Sequence, residues 1–444
     1  MDTRFHCEQA WLGSDAATAD VLIDVTDGVI SAIATGTTDR PEGSVSLPGL
    51  TIPGLANGHS HAFHRALRGR TQSGAGSFWT WREQMYALAA ELTPDRYYAL
   101  ARAVYGEMVL AGITAVGEFH YVHHDSGGVA YNDPNAMGIA VVAAAADAGI
   151  RLTLLDTCYL TGGIKKPPEG VQLRFSDRDA DAWAARATAL DALAGSRVRI
   201  GAAIHSVRAV DPLSVRAVAR WAAERKVPLH AHVSEQPAEN QDCIAAYGVT
   251  PTGLLERSGA LSEGFTAVHA THVTGPDIDR LGRLACSICI CPTTERDLAD
   301  GIGPARLLRD AGVRLTLGSD SQAVIDLFEE ARAVELHERL VTHERGTFGA
   351  ADLLRAATVD GHRSIGWDEC GTIAVGAAAD FVTVGLSSVR LAGTRIEHAL
   401  ASVVFAGSAA DVRHVVIGGE VVVAGSRHLR LDVAAELAQA IGSA

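Results

Sequence analysis

An apolar run ends in two histidines one residue apart in Pro53-Gly54-Leu55-Ala56-Asn57-Gly58-His59-Ser60-His61. On a β-strand, positions i and i+2 face the same side, so His59 and His61 can present both imidazoles to one metal ion. Such pairs arise by chance in a chain with 18 histidines, so the meaning of this one depends on what else converges on it. Other titratable residues close short apolar runs: Glu118 with His120, then His205, then His230, His232 and Glu235, then His269 with His272, and finally Asp320. Gathering so many at one place would be costly without a ligand or metal, which points to a metal site. A zinc-like ion wants roughly four nitrogen or oxygen donors, one position being kept for water in a catalytic site. His59, His61, one of His230 and His232, and Asp320 meet that need, and spacing alone does not choose between the last two histidines.

For these groups to meet, the elements that carry them must share one end. Short apolar runs near Thr51 to Ala56, Ile113 to Phe119, Arg151 to Thr157, Arg197 to His205, Val227 to Val233, Phe265 to Thr271, Ala285 to Cys291 and Val313 to Asp320 alternate with Ala-rich helical stretches such as Pro212 to Lys226. This alternation predicts parallel strands joined by helices, and eight of them predict a closed (β/α)8 TIM barrel with its active site at the C-terminal strand ends. The chain ends read differently. Val21 to Val25 and Val29 to Ile33 flank an Asp27-Gly28 hairpin signal, and Asp380 to Val384, Ser402 to Phe405 and Val415 to Val423 read as further strands. Residues 1–50 and 376–444 are therefore expected to form one small β-sandwich domain, with 51–375 as the catalytic barrel. Lys165 to Gly170 reads as an exposed loop.

Composition narrows the function. A net charge of -14 argues against a phosphate-binding surface, and so against nucleic acid as partner. No stretch approaches the roughly 18 to 20 apolar residues that span a bilayer, and the N-terminus lacks the apolar segment of a signal peptide; no membrane partner and a cytoplasmic location are expected. Lysine occurs only at 165, 166 and 226, so nearly all positive charge is arginine, suited to two-pronged carboxylate bonds. Seven cysteines, an odd number in a long chain, suit reduced thiols, and Cys286, Cys289 and Cys291 read as small apolar residues of a buried strand.

The segments His59-Ser60-His61-Ala62-Phe63-His64-Arg65, Leu229-His230-Ala231-His232-Val233-Ser234-Glu235-Gln236, Val268-His269-Ala270-Thr271-His272 and Gly318-Ser319-Asp320-Ser321 together resemble the amidohydrolase superfamily, its deaminase branch in particular. Within that branch, Phe78-Trp79-Thr80-Trp81-Arg82-Glu83-Gln84-Met85-Tyr86, Gly117-Glu118-Phe119-His120-Tyr121-Val122-His123-His124 and Cys291-Pro292-Thr293-Thr294-Glu295 are similar to the formimidoylglutamate deiminases. The resemblance implies one divalent ion per subunit, zinc, held by His59, His61, His232 and Asp320, with Glu235, His269 and Asp320 catalytic. It implies hydrolysis of N-formimidoyl-L-glutamate to N-formyl-L-glutamate and ammonia, a step of histidine degradation, with Arg82, Tyr121, His205, Arg208 and His64 binding this dicarboxylate amidine, and a homodimer. The alternative is a deaminase of the same fold acting on a ring amidine of the purine, pterin or cytosine type. No lysine lies between Lys166 and Lys226, which disfavours a carbamylated lysine bridging two metals and favours a single-metal site. His64 stands where the family commonly carries glutamine, and Arg296-Asp297 also departs from the family pattern.

Overall fold

The computed structural model describes residues 2–72 and 76–442. Met1 and residues 443–444, at the outer limits of the two expected end segments, lie outside the described residues. The strands are β1 Asp2–Ala10, β2 Thr18–Thr26, β3 Val29–Ala34, β4 Val45–Pro53, β5 Leu55–Ser60, β6 Ile113–His120, β7 Arg151–Cys158, β8 Val198–Ile204, β9 Leu229–Val233, β10 Phe265–His269, β11 Ser287–Ile290, β12 Arg314–Leu317, β13 Phe381–Val384, β14 Val412–Ile417, β15 Glu420–Ala424 and β16 Arg427–His428.

Strands β5 to β12 form one parallel sheet in sequence order. The sheet closes where Ser60 bridges Asp320: His61 N–H donates to Asp320 O at 3.1 Å, and Asp320 N–H donates to His59 O at 3.0 Å. The result is a (β/α)8 barrel whose strands are buried on both faces, which is why they read as apolar runs rather than alternating ones. Its helices start and stop where local chemistry says they should. In Pro212–Arg225 the Asp211 carboxylate accepts from the Leu213 and Ser214 amides, proline opens the first turn, and the chain turns left-handed at Lys226.

The chain ends build the small β-sandwich as a second sheet in the order β16-β15-β14-β13-β4-β1-β2-β3. Phe5, Val21, Ile23, Ile30, Leu47, Phe381 and Val416 form its core, with the Phe5 and Phe381 rings edge to face at 5.0 Å. A buried ion pair ties the two units together. Arg151 on β7 grips the Asp380 carboxylate with two nitrogens, Nη2 to Oδ1 at 3.0 Å being one contact.

Two sequence expectations are corrected. Thr51 to Ala56 is not one barrel strand: Thr51, Ile52 and Pro53 end β4, paired with β13 in the sandwich, and only Leu55 onward joins the barrel. One apolar run serves two sheets, and composition does not mark the switch at Gly54. Ser402 to Phe405 is not a strand but part of a helix, Ala399–Ala406. Its buried positions, Ala399, Leu400, Val403 and Val404, follow helical spacing, and a short apolar run carries no periodicity that separates it from a strand. Among the described residues no helix is long and apolar enough to cross a membrane.

Candidate metal centre and active-site cleft

Four side chains, His59 on β5, His61 just after it, His232 on β9 and Asp320 in the turn after β12, meet at the C-terminal end of the barrel. One donor atom each from His59, His61, His232 and Asp320 lies within 4.8 Å of all the others, and all four residues are buried. Two imidazoles are oriented by their other nitrogen. His61 Nδ1 bonds the Phe119 carbonyl at 3.0 Å, and His232 Nδ1 bonds the His205 carbonyl at 2.9 Å, so both turn Nε2 to the cluster. Asp320 Oδ1 stands 3.3 Å from His59 Nε2 and 3.5 Å from His61 Nε2, and His232 Nε2 is 3.2 Å from His59 Nε2. Burial first, then the neighbouring imidazoles, holds all three histidines well below their ordinary pKa, hence neutral.

These residues fit a divalent ion. Two neutral imidazole nitrogens face each other across 3.2 Å, an arrangement that a shared cation relieves. Separations of 3.2 to 3.5 Å also match the edges of a tetrahedron with metal–ligand bonds of about 2.0 to 2.1 Å.

The histidine-bearing turn is pinned from beneath. The buried Glu118 carboxylate accepts from Ser60 Oγ and from the Ala62 amide, both at 2.7 Å. Asn57 clamps β5 to the chain after β12, its amide donating to Ser319 Oγ at 2.7 Å while its oxygen accepts from Ser319 N–H at 3.0 Å. Gly318 permits that approach, since a Cβ there would stand 2.9 Å from both the Cβ and the carbonyl oxygen of His59. Asp320 and His269 both sit at positive φ, 40° and 67°, which non-glycine residues adopt at a cost of order 1 to 3 kcal/mol where surrounding structure compels it.

Beside the cluster, His269 Nε2 lies 3.7 Å from Asp320 Oδ2 and 4.0 Å from Glu235 Oε1, and Nδ1 lies 3.3 Å from Glu295 Oε1. Burial pushes the His269 imidazole down, but Glu295, Asp320 and Glu235 outweigh it and raise its pKa to about 10. Burial, reinforced by Glu235 and Glu295 and opposed by His269, lifts the Asp320 carboxyl to about 7. Of the two, His269 therefore holds its proton the more tightly, and the Asp320 carboxyl can take up or give one near neutral pH.

His64, Arg82, Tyr121, His205 and Arg208 all line one cleft of about 680 Å3, mouth included, together with His61, His232, Glu235 and Asp320. His64 Nε2 and Tyr121 Oη are 3.0 Å apart, and His64 Nδ1 is buried with no hydrogen-bond partner. Arg82 stacks over Trp79 and Tyr86, 4.5 and 5.4 Å from the ring centres. Arg208 is held by two carboxylates, Glu235 at 2.7 Å and Glu239 at 3.3 Å. His230 turns away from the cluster and bonds the Ser364 carbonyl at 2.8 Å. His272 bonds the Asp300 carbonyl, also outside the cluster. All seven cysteines are free and buried, and Cys291 comes close enough to His269 and Asp320 for the three donor atoms to lie within 4.8 Å of one another. Sequence reasoning passed over Glu239 and Tyr159. Glu239 lies four residues after Glu235, in the first turn of the helix Pro237–Tyr247, and Tyr159 immediately follows β7, the position from which barrels deliver side chains to their mouths.

The model of the amidohydrolase family matches residues 50–422. Formimidoylglutamate deiminase of Pseudomonas aeruginosa is 35% identical over 413 residues, 90% of each chain. A 5-methylthioadenosine/S-adenosylhomocysteine deaminase of Natronomonas pharaonis is 31% identical over 422 residues, 94% of this chain and 91% of that one. Among solved structures, an amidohydrolase from Brucella melitensis superposes with a TM-score of 0.91 at 32% identity, covering 99% of both chains. An adenosine deaminase from Xanthomonas campestris with bound zinc gives 0.86 at 25% identity, covering 100% of this chain and 99% of that one.

Proposed function

The chain belongs to the amidohydrolase family, metal-dependent enzymes of hydrolysis, and on that premise we infer that it deaminates N-formimidoyl-L-glutamate to N-formyl-L-glutamate and ammonia. The observation that carries this reading is the pairing of a His-His-His-Asp cluster with two arginines, Arg82 and Arg208, on the wall of the cleft above it. A substrate with two carboxylates entering a protein of net charge -14 needs local cations, and a neutral heterocycle needs neither.

His59, His61, His232 and Asp320 are the residues assigned to the ion, taken as zinc from their nitrogen and oxygen donors and from the zinc-bound relative. When bound, such an ion acidifies a water molecule and so supplies the nucleophile near neutral pH. Asp320 receives the water's proton at Oδ2, the oxygen facing His269. His269, kept protonated by its acidic neighbours, donates a hydrogen bond that holds the attacking oxygen against the amidine carbon, as the oxygen's electron pair forms the new bond and the carbon–nitrogen π pair moves onto the terminal nitrogen. Glu235 hands the terminal nitrogen one proton as it gains that pair and a second, taken from the added hydroxyl, as it leaves as ammonia; the proton held by Asp320 replaces the first one Glu235 gave, and the carbon–oxygen bond becomes the formyl carbonyl. Arg82 and Arg208 hold the two carboxylates. Tyr121, His64 and His205 border the amidine end, and the barrel that begins at Leu55 forms the catalytic unit.

Purified, zinc-loaded protein incubated with N-formimidoyl-L-glutamate should release ammonia, and Glu235→Ala should lower kcat by about 10²- to 10⁴-fold. Release by the unaltered protein no faster than by the variant overturns the reading. A second reading, a deaminase of adenosine-type rings, draws on the aromatic wall of Trp81, Tyr86, Tyr121 and Tyr159 and on the Natronomonas relative. Turnover of such a ring with a KM indifferent to Arg208→Met would favour it.

A further inference from the structure

Arg208 does not stand open in the cleft. Its Nη2 donates to Glu235 Oε2 at 2.7 Å, and its Nε donates to Ser206 Oγ at 3.3 Å while forming an ion pair with Glu239 Oε2, also at 3.3 Å. The two glutamates differ in kind. Glu239 lies in the first turn of the helix Pro237–Tyr247, is buried behind the cleft wall, and is fixed by the Ser234 amide, which donates to Oε1 at 3.0 Å. Glu235 stands in the turn after β9 and faces the cleft, with its other oxygen 4.0 Å from His269 Nε2. One carboxylate is thus an anchor for Arg208. The other is the group assigned to proton delivery, and it is tied to the residue assigned to a substrate carboxylate.

We propose that Arg208 exchanges partners on substrate binding: a substrate carboxylate takes the Nη2 edge from Glu235, Glu239 keeps the Nε side in place, and Glu235 is set free to face the leaving nitrogen. The exchange rests on the dicarboxylate reading of the substrate. It conserves charge locally, since one carboxylate replaces another on the same guanidinium, so the partly buried arginine is never left unpaired. Glu239 is a positioning residue. The consequence is that the substrate's carboxylate contributes to turnover as well as to binding, because a substrate without it leaves Glu235 tied down.

The test compares N-formimidoyl-L-glutamate with two analogues in which the α- or the γ-carboxylate is replaced by carboxamide, on the zinc-loaded full chain. For one analogue kcat at saturation should fall by at least about tenfold, the factor a charge-assisted hydrogen bond commonly represents. Arg208→Met, which unties Glu235, should bring the kcat values for the two substrates to within about threefold of each other. Unchanged kcat with only a raised KM for both analogues overturns the exchange and leaves Arg208 a plain binding group. Should Arg208→Met fail to fold, the comparison on the unaltered protein still decides. Absence of turnover on the parent compound removes the substrate reading itself, and with it the exchange.

Discussion

At the candidate metal centre His61 and His232 differ from His230 in what the second ring nitrogen does. His61 and His232 bond backbone carbonyls through Nδ1 and are thereby aimed, whereas His230 bonds Ser364 and is aimed away. This is why spacing left His230 and His232 equivalent. Both obey i, i+2, but the deciding carbonyl of Ser364 lies 134 residues on and cannot be read locally. Replacing Asp320 by Asn keeps the shape and removes the charge that balances the ion. Metal retained after dialysis should fall more than about tenfold, measured by elemental analysis, with ammonia release lost in step. Another buried histidine contributes to acid sensitivity. Burial, opposed by its bond to Thr358, lowers His362 to about 4. The folded state thus binds fewer protons than the unfolded chain between about pH 6.5 and 4, and stability is lost as pH falls through that window. His362→Gln should flatten the dependence of unfolding free energy on pH there by up to about 1.4 kcal/mol per pH unit, measured by urea titration.

The strands were legible because burial on both faces leaves them continuously apolar, and the residues closing them were legible because they break that run with charge. Legibility failed where one element's fate depends on another. Thr51 to Pro53 pair with β13, more than 300 residues later, and no local signal marks Gly54 as the crossing from sandwich to barrel. Val403 and Val404 favour a strand by type, yet pack as a helix on the helix Leu327–Thr342. Arg208's two glutamates come from the next strand's turn and helix, so the sequence offered a lone arginine where the fold makes a triad. Close strand contact at the barrel seam gives its own expectation. Gly318→Ala would force a Cβ to within 2.9 Å of His59, so β5 and the chain after β12 must part. Calorimetry should show a loss of about 1 to 3 kcal/mol in stability, and metal affinity should fall although no donor atom has been changed.

The sandwich and the barrel are joined through Arg151 and Asp380, which are buried and also linked to the Gly418 amide. Removing one partner of such a pair leaves an uncompensated charge. Asp380→Ala should destabilise the protein by about 3 to 5 kcal/mol in denaturant titration, while the metal bound per folded molecule stays near that of the unaltered protein. Because the pair lies at the opposite end of β7 from the cluster, its loss separates stability from chemistry.

Strand β4 lies between β1, an early neighbour in the chain, and β13, a very late one. During synthesis the first four strands emerge together, but one edge of β4 has no partner until residues 381–384 leave the ribosome. For most of translation the nascent chain therefore carries an open strand edge, the kind of surface that invites pairing with another copy. The segment β13 acts as a clasp closed last, and a chain halted before it would display that edge permanently even with His59, His61, His232 and Asp320 already made.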